Sequence, residues 1–317
     1  MADSETPEES GNTVEGVLRP DIPAERDPNR IPLYGGISGL PISIPEYVLC
    51  KGLIVREAYA HVMAPYIVAF KSPERPGAPH PGPWKAAQGG LGFDVTIEVA
   101  LAQDSRPTGL DRLNTLWLVV ALLRLATGAA LRMPVISDVA FAAVPSSEKE
   151  PMLWTIEMPP QQLHLTREPP DEVTEKHLQW VRKSILKGAE LLNDEAFNRA
   201  FKTFDSAVWS HSTGSAIIMA WAALETLFRP GRRRITKTLA ISIATFLHPA
   251  GAQRDRAYQY ITKLYETRGS AAHDAQLPEF EQLISSFELA RQSITKCIET
   301  GEMPNRELLL NRWKERL

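Results

Sequence analysis

Arg268 and His273 are two side chains that could together bind and cleave a phosphodiester, and four residues separate them in the sequence. A histidine whose pKa stays near its ordinary value of about 6.5 can accept the proton of a ribose 2′-hydroxyl at neutral pH. An arginine can hold the phosphate and offset the charge that develops in the transition state. The pair is therefore a candidate for metal-free phosphodiester chemistry.

The same Arg-x4-His spacing also occurs at Arg56/His61 and at Arg75/His80, so the spacing alone does not identify a site. The first of these pairs lies in a segment without clear periodicity, and the second lies in a segment rich in proline. We expect neither of these two pairs to form a site. The surrounding sequence has to decide which of the three Arg-x4-His pairs does.

The charge of the chain is distributed unevenly around the Arg268/His273 pair. The net charge is −3, which argues against a protein that coats nucleic acid over its whole surface. Residues 1–30 contain eight acids and three bases, whereas residues 221–273 contain nine Lys or Arg and three acids. The second segment is therefore the part of the chain that we expect to face an anion.

The composition predicts a globular protein, because 317 residues with 44% hydrophobic side chains suffice to bury a core. The longest strongly apolar run, residues 113–123, is well short of the roughly 20 residues of a membrane span. The N-terminal residues lack the pattern of a secretory signal, and we expect a cytoplasmic protein without membrane contact. Cys50 and Cys297 are expected to be free thiols, and neither a metal ion nor a cofactor is expected.

The first half of the chain predicts a mixed α/β unit over residues 31–168, after an acidic tail, residues 1–30, that we expect to be disordered. Short β-branched or aromatic runs between Pro and Gly predict strands. These runs are residues 42–49, 64–70, 93–101, 152–158 and 163–165. Residues 72–92, rich in Pro and Gly, predict a loop, and residues 108–127 predict a buried helix that Gly128 ends.

The second half, residues 171–317, predicts an all-α domain, so that the fold class expected for the whole chain is α+β. Apolar residues at helical spacing recur between Gly, Pro and capping residues. The predicted helices are residues 172–192, 194–209, 213–228, 233–247, 253–268, 278–300 and 305–316.

Three consecutive features of the second half resemble the Apea-like branch of the HEPN superfamily. They are Trp-Ala-Ala-Leu-Glu-Thr-Leu-Phe at residues 221–228, a basic helix that ends in an apolar run, and Leu-Tyr-x-x-Arg-x4-His at residues 264–273. The resemblance covers roughly residues 194–300. Residues 121–126, Ala-Leu-Leu-Arg-Leu-Ala, are similar to the N-terminal region that often accompanies this branch.

The resemblance implies an all-α HEPN-like helical bundle that forms a homodimer and cleaves RNA without a metal, leaving a 2′,3′-cyclic phosphate and a 5′-hydroxyl. It also implies a setting in defence or as a toxin. The family's signature arginine and histidine correspond to Arg268 and His273. Glu225 lies among apolar neighbours, where an unpaired carboxylate is costly, so we expect it to pair with Arg268 or with another basic side chain.

The geometry of a straight helix adds a condition, because residues five apart lie about 140° from each other around the axis. Arg268 and His273 converge only if the helix ends between them, and Gly269 is suited to such an end. The expected RNA-binding residues are Arg232, Arg233, Arg234, Lys237 and Ser270.

The same residues also allow structural interpretations and a second function. Arg268 and His273 could have only structural roles at a helix end, and the basic run could be a solvated helix start. A non-catalytic HEPN module that binds RNA, or a protein partner through its N-terminal domain, is the alternative function. Gly269 favours this alternative, because active members commonly have a polar residue after the arginine. Ser242 favours it too, because it stands where the basic helix often carries an arginine.

Overall fold

The computed structural model describes residues 31–76, 78–157, 163–210, 212–273 and 280–314. Within these ranges, the chain first builds an antiparallel sheet with one packed helix and then runs as successive helices. The predicted α+β class is confirmed. The expected disorder of the acidic tail concerns residues 1–30, which lie outside the described residues.

The sheet has six strands, which are β1 (Leu33–Ser38), β2 (Glu46–Cys50), β3 (Leu53–Ala69), β4 (Trp84–Leu101), β5 (Arg132–Ser137) and β6 (Leu153–Thr155). Their order in the sheet is β2-β3-β4-β1-β5-β6, and neighbouring strands are antiparallel. Buried residues alternate with more exposed ones at the start of β3 and in part of the inner half of β4, as expected where one face covers a core, whereas nearly all residues of β1 and β5 are buried.

Strands β3 and β4 form a hairpin that is much longer than the rest of the sheet. The prediction of a loop over residues 72–92 is wrong for its second part, because β4 begins at Trp84. Two glycines allow the strand to follow this course. Gly89 has φ +100° near an irregularity in the register between β3 and β4. A Cβ at Gly90 would lie 2.6 Å from the carbonyl oxygen of Ala64, so the two strands approach each other closely there. The glycines thus mark a bulge and a close strand approach instead of a loop.

Helix α1 (Arg112–Thr127) covers the sheet and ends where the sequence predicts. Asp111 caps its N-terminus by accepting a hydrogen bond from the backbone N–H of Asn114. Gly128 ends it with φ +70°, and the N–H of Gly128 donates to the carbonyl oxygen of Arg124. Because only glycine adopts this conformation without strain, the sequence contains the information for the end of α1.

Residues 163–165 form no strand, contrary to the prediction. The N–H of Leu163 donates to the carbonyl oxygen of Val208, and the N–H of Leu165 donates to that of Gly128. The apolar run therefore satisfies its backbone donors at the carbonyls of two helix ends, and its side chain Leu165 is buried in the core. From sequence alone, a short apolar run that forms a strand looks the same as one whose backbone donors bond to helix ends.

Seven helices follow in the part of the chain that the structure describes, and each corresponds to one predicted segment. They are α2 (Glu175–Leu191), α3 (Glu195–Ala207), α4 (Thr213–Phe228), α5 (Ile235–Leu247), α6 (Ala252–His273), α7 (Phe280–Thr300) and α8 (Arg306–Lys314). Their bounds agree with the predictions within a few residues, except at the C-terminal end of α6. None of the described helices is long and apolar enough to cross a membrane.

The sheet and the helices pack on one continuous hydrophobic core. Ile97 of β4, Leu122 of α1, Phe201 of α3 and Trp221 of α4 belong to the same cluster of buried residues. The division into domains at residues 168–171 remains a prediction, and the two parts share this core.

Arg124 joins the two parts through polar contacts as well. Its side chain is 1% exposed, and Nη1 lies 2.8 Å from Asp205 of α3 while Nη2 lies 2.6 Å from Glu157. Nε donates to the carbonyl oxygen of Leu131. Burial acts to lower the pKa of Arg124, but the two carboxylates outweigh it and raise the pKa. The buried guanidinium is therefore charged and fully paired.

Candidate functional site

Arg268 is held by two groups on one side of its guanidinium. Its Nη1 lies 3.2 Å from Oε1 of Glu225 and donates a hydrogen bond of 3.1 Å to the hydroxyl oxygen of Tyr265. The side chain of Arg268 is 32% exposed, so part of it faces solvent. The expected pairing of Glu225 with an arginine is confirmed, and the arginine is Arg268.

Tyr265 completes a three-residue cluster, which we call the Glu225–Tyr265–Arg268 cluster. Its hydroxyl donates a hydrogen bond of 2.8 Å to Oε1 of Glu225, the same oxygen that faces Arg268. Burial, together with the hydrogen bond to Glu225 and the charge of that carboxylate, raises the pKa of Tyr265 to about 12, although Arg268 opposes the change. Tyr265 is therefore a neutral hydrogen-bond donor at physiological pH.

The helices position the cluster by simple spacing. Tyr265 and Arg268 are three residues apart on α6, so they lie on the same face of that helix and meet Glu225 on α4. The ring of Tyr265 packs edge-on against Trp221, with 5.0 Å between ring centroids. The indole N–H of Trp221, which is fully buried, donates a hydrogen bond to Ser286 of α7. Three helices thus fix the tyrosine that holds the arginine.

The guanidinium of Arg268 is only partly satisfied by this cluster. Its Nε is buried and has no hydrogen-bond partner among the residues that the structure describes. A buried donor without a partner is costly, and because Nε is shielded from solvent, a bound oxyanion does not reach it. An oxyanion is the kind of acceptor that a guanidinium binds best, and the solvent-facing part of the Arg268 side chain is where one could be held.

Helix α6 does not end between Arg268 and His273, contrary to the expectation. It continues from Ala252 through Gly269 to His273 as one helix of 22 residues. A glycine inside a helix costs only about 1 kcal/mol relative to alanine, and the two alanines before His273 favour helix. The helix positions of Arg268 and His273 are therefore about 140° apart around one helix axis.

Ser270, another expected RNA-binding residue, lies in the same helix two positions after Arg268. Residues two apart on a helix do not share a face. The helix positions of Ser270 and Arg268 therefore lie on different faces of α6. Its role in RNA binding stays a prediction.

The arginines of residues 232–234 are exposed in the short connection between α4 and α5. Arg229 and Arg234, at the two ends of this connection, have φ values of +46° and +52°, and Gly231 has φ +84°. These left-handed residues turn the chain sharply, so that several cationic side chains lie on one short loop. Lys237, in the first turn of α5, is also exposed.

One further cation, which was not expected from the sequence, lies at this loop. A Cβ at Gly231 would lie 3.3 Å from Nη2 of Arg306, so the exposed first residue of α8 lies over the connection. Arg306 is more than 70 residues away in sequence, and no spacing signal could have joined it to the cluster. We call Arg232, Arg233, Arg234, Lys237 and Arg306 the basic patch.

Ser242 belongs to the core and not to a surface site. It is fully buried on α5, and its hydroxyl has no hydrogen-bond partner among the described residues. The face of α5 at this position packs against the helical core. An arginine at the place of Ser242 would require space that this packing does not provide.

That neither of the two other Arg-x4-His pairs forms a site stays a prediction, and the described contacts of Arg56, His61 and His80 are with other residues. Arg56 donates a hydrogen bond of 2.7 Å to Glu98, whereas Nδ1 of His61 lies 2.7 Å from Asp94. Nδ1 of His80 lies 3.1 Å from the carbonyl oxygen of Lys71. Each contact is explained by local structure of the hairpin.

Comparisons of the chain with protein-family models, with curated proteins and with solved structures found no match. Among the residues that the structure describes, no group of three His, Cys, Asp or Glu side chains is placed to hold a metal ion. The features of the molecule that bear on its function are the Glu225–Tyr265–Arg268 cluster, the basic patch and the position of His273 on α6.

Proposed function

We propose that the protein is a metal-independent RNA endonuclease of HEPN type that acts as a homodimer. The observation that carries this proposal is the Glu225–Tyr265–Arg268 cluster, which orients an arginine whose side chain is partly exposed. A defence or toxin setting follows from the family resemblance alone.

In the proposed reaction, Arg268 binds the scissile phosphate and offsets the charge of the transition state. His273 accepts the proton of the 2′-hydroxyl, and the 2′-oxygen attacks phosphorus. The bond from phosphorus to the 5′-oxygen breaks, and the 5′-oxygen leaves as a hydroxyl after taking up a proton from protonated His273 or from water. The products are a 2′,3′-cyclic phosphate and a 5′-hydroxyl, and no metal takes part.

The continuous helix α6 determines how such a site has to be assembled. Because Arg268 and His273 lie about 140° apart around the helix axis, one protomer does not present both to the same phosphate. Two antiparallel copies of α6 can bring Arg268 of one protomer next to His273 of the other. The proposal therefore requires a homodimer in which each active site contains residues of both protomers.

Glu225 and Tyr265 act through Arg268 in this mechanism. Their contacts leave Nη1 occupied and fix the plane of the guanidinium. The basic patch binds the phosphates of the RNA on either side of the cleaved bond, because exposed Arg and Lys contribute most of the affinity for a nucleic-acid backbone. Since these contacts read no base, this binding carries little sequence specificity.

The second candidate is a non-catalytic HEPN module that binds RNA, or a protein partner through its N-terminal part. The salt bridge between Glu225 and Arg268 favours it, because an arginine held by a carboxylate also has a sufficient structural role. In that case the basic patch binds RNA and no bond is broken.

The test uses total RNA incubated in EDTA with the wild-type protein and with the His273→Ala, Arg268→Ala and His80→Ala variants. His80→Ala is the matched control, because it removes the histidine of another Arg-x4-His pair. We expect cleavage by the wild type and by His80→Ala, with cyclic phosphate ends, and none by the other two. Binding of RNA without cleavage by the wild type would support the non-catalytic module instead. Equal cleavage by the wild type and His273→Ala would refute the role of His273.

A further inference from the structure

The basic patch is a group of exposed cations without acidic partners. Among the residues that the structure describes, none of its five side chains forms an ion pair. Arg229, at the start of the same connection, is by contrast 3.5 Å from Asp194. Like charges on one short loop repel each other at low salt, because the Debye length is about 10 Å at 0.1 M. The patch therefore has the chemistry of a surface that binds an anionic partner.

One anionic partner belongs to the same chain. Residues 1–18, which we call the acidic segment, contain five carboxylates and no basic side chain. The carboxylates are Asp3, Glu5, Glu8, Glu9 and Glu15. Residues 19–30 contain three acids and three bases, so the negative charge is concentrated in the acidic segment. Five carboxylates match the five cations of the basic patch in number and are opposite to them in sign.

The described structure begins beside α1, at Ile31. The carbonyl oxygen of Ile31 accepts a hydrogen bond of 2.8 Å from Nη2 of Arg112, the first residue of α1. Trp117, five residues further along α1, packs edge-on against Phe201 of α3 with 5.6 Å between ring centroids. The acidic segment is therefore joined to the structure close to the contact between α1 and α3.

Helix α3 leads from this contact towards the basic patch. Seven residues separate Phe201 from the N-cap Asp194, which is about 10 Å along the helix. Asp194 contacts Arg229, so these connected steps place the patch within roughly 50 Å of Ile31. The carboxylates at residues 3–9 precede Ile31 by at least 22 residues, which span up to roughly 70 Å when extended. The acidic segment is therefore long enough to reach the patch.

We propose that the acidic segment occupies the basic patch of its own chain and that RNA displaces it. Because the segment is tethered, its effective concentration at the patch is about millimolar, so that a weak ionic contact is occupied at low salt. The carboxylates then take the places that RNA phosphates would take. The competition rests on the proposed function, since it regulates the proposed RNA site, whereas the contact itself needs no cleavage.

The first measurement detects the contact without RNA. A carbodiimide joins a carboxylate to an amine that touches it, and Lys237 is the one amine of the basic patch. In the full chain at low salt we expect cross-links from residues 3–15 to Lys237, located by mass spectrometry. Few should form to Lys183, an exposed amine on α2 outside the patch. The Lys237 cross-links should decrease severalfold in the Arg232→Gln/Arg233→Gln variant and when RNA is added.

The second measurement compares the RNA affinity of two full-length variants. One replaces the five carboxylates of the acidic segment by amides, and the matched control does the same to five exposed acids elsewhere. The control residues are Glu148, Glu150, Glu168, Asp171 and Glu172. Both variants lose five negative charges, from −3 to +2, so the general attraction of RNA is the same. We expect the segment variant to bind single-stranded RNA roughly tenfold more tightly than the control at low salt and equally at high salt.

Cross-links to Lys237 that are no more frequent than those to Lys183 would overturn the proposal, and so would equal RNA affinities of the two variants at low salt. Cross-links whose yield falls on dilution would assign the acidic segment to another copy of the chain and overturn it as well. The proposed function fails separately. Lys237 cross-links that RNA displaces, in a protein that cleaves no RNA, would support the acidic segment as the occupant of the patch and refute the nuclease.

Discussion

Glu225 on α4 and Arg268 on α6 meet at 3.2 Å, and the hydroxyl of Tyr265 donates to the same oxygen, Oε1 of Glu225. A carboxylate that contacts both the arginine and the tyrosine determines where the guanidinium points. This relationship makes Glu225 a positioning residue for Arg268, and it is the basis of the first two predictions.

Glu225→Gln should lower kcat for RNA cleavage by roughly ten- to a hundredfold and change KM little, because the guanidinium loses its ionic support and shifts by a fraction of an ångström. The rate is measured with a defined single-stranded RNA in EDTA. Glu266→Gln is the control, since Glu266 lies on the same helix but is exposed. Equal kcat values for both variants at equal thermal stability would show that Glu225 does not position Arg268.

Tyr265 should ionise with a pKa of about 12, well above the ordinary value for tyrosine. The neutral hydroxyl is stabilised in the folded state, so its contribution is complete below about pH 10 and is lost as the pH rises towards about 12. The measurement is the tyrosinate absorbance of the wild type minus that of Tyr265→Phe. A difference curve centred on the ordinary value of about 10 would contradict the hydrogen bond to Glu225.

His177 should make the stability of the protein depend on pH in the acidic range. Its Nδ1 accepts a hydrogen bond of 3.1 Å from the N–H of Thr174 at the start of α2, and burial, together with the charge of Lys176, lowers its pKa. This contribution is complete above about pH 6.5 and is lost as the pH falls through the lowered pKa, because imidazolium cannot accept the bond.

The variant His177→Gln tests this directly, because glutamine at the same position can complete a capping box without titrating. The free energy of unfolding is measured with urea between about pH 5 and about pH 8. The wild type should lose more stability than the variant on acidification. Parallel pH profiles for the two proteins would refute a role of His177 in this dependence.

Arg124→Met should destabilise the folded chain by about 3–5 kcal/mol, because it leaves the half-buried carboxylates of Asp205 and Glu157 without this cation. Arg199→Met is the control, since Arg199 forms an exposed ion pair with Glu195 whose loss costs about 0–1 kcal/mol. Urea unfolding measures both. Similar losses would show that the Arg124 network does not join the sheet to the helices.

Arg232→Gln/Arg233→Gln should weaken RNA binding and reduce the slope of log K against log salt by about 1.4, because two phosphate contacts on a single strand are lost. Arg182→Gln/Lys183→Gln removes the same charge from an exposed part of α2 and should leave the slope unchanged. Filter binding at several salt concentrations gives both slopes. Equal slopes for the two double variants would exclude the basic patch from the RNA interface.

The elements of the fold could be predicted where a local signal exists. Gly128 ends α1 because the left-handed conformation favours glycine, and the caps of α3 and α4 lie at Asp194 and Ser212, next to their apolar periodic segments. By contrast, the glycines of residues 89–92 indicate a loop by local rules, although they lie in a strand. The pairing that makes them part of β4 comes from β3, some 25 residues earlier in the sequence.

The candidate site was predictable to a similar extent. The sequence predicts a cationic partner for Glu225 because a carboxylate among apolar residues needs one, and it makes Arg268 a candidate through the motif of residues 264–273. Arg306 could not be found, since its place beside Gly231 depends on the packing of α8 against the loop before α5. The end of α6 was predicted wrongly because Gly269 is a common helix terminus, and nothing local indicates that the helix passes through it.

A mixture of two inactive variants tests whether each site combines Arg268 of one protomer with His273 of the other. Arg268→Ala and His273→Ala are unfolded together, refolded, and assayed for RNA cleavage in EDTA beside each variant alone. We predict no cleavage by either variant alone and, in the mixture, recovery of about a quarter of the wild-type rate, because half of the dimers regain one of two sites. A mixture as inactive as its components, or cleavage by either variant alone, would contradict a site that the two protomers share.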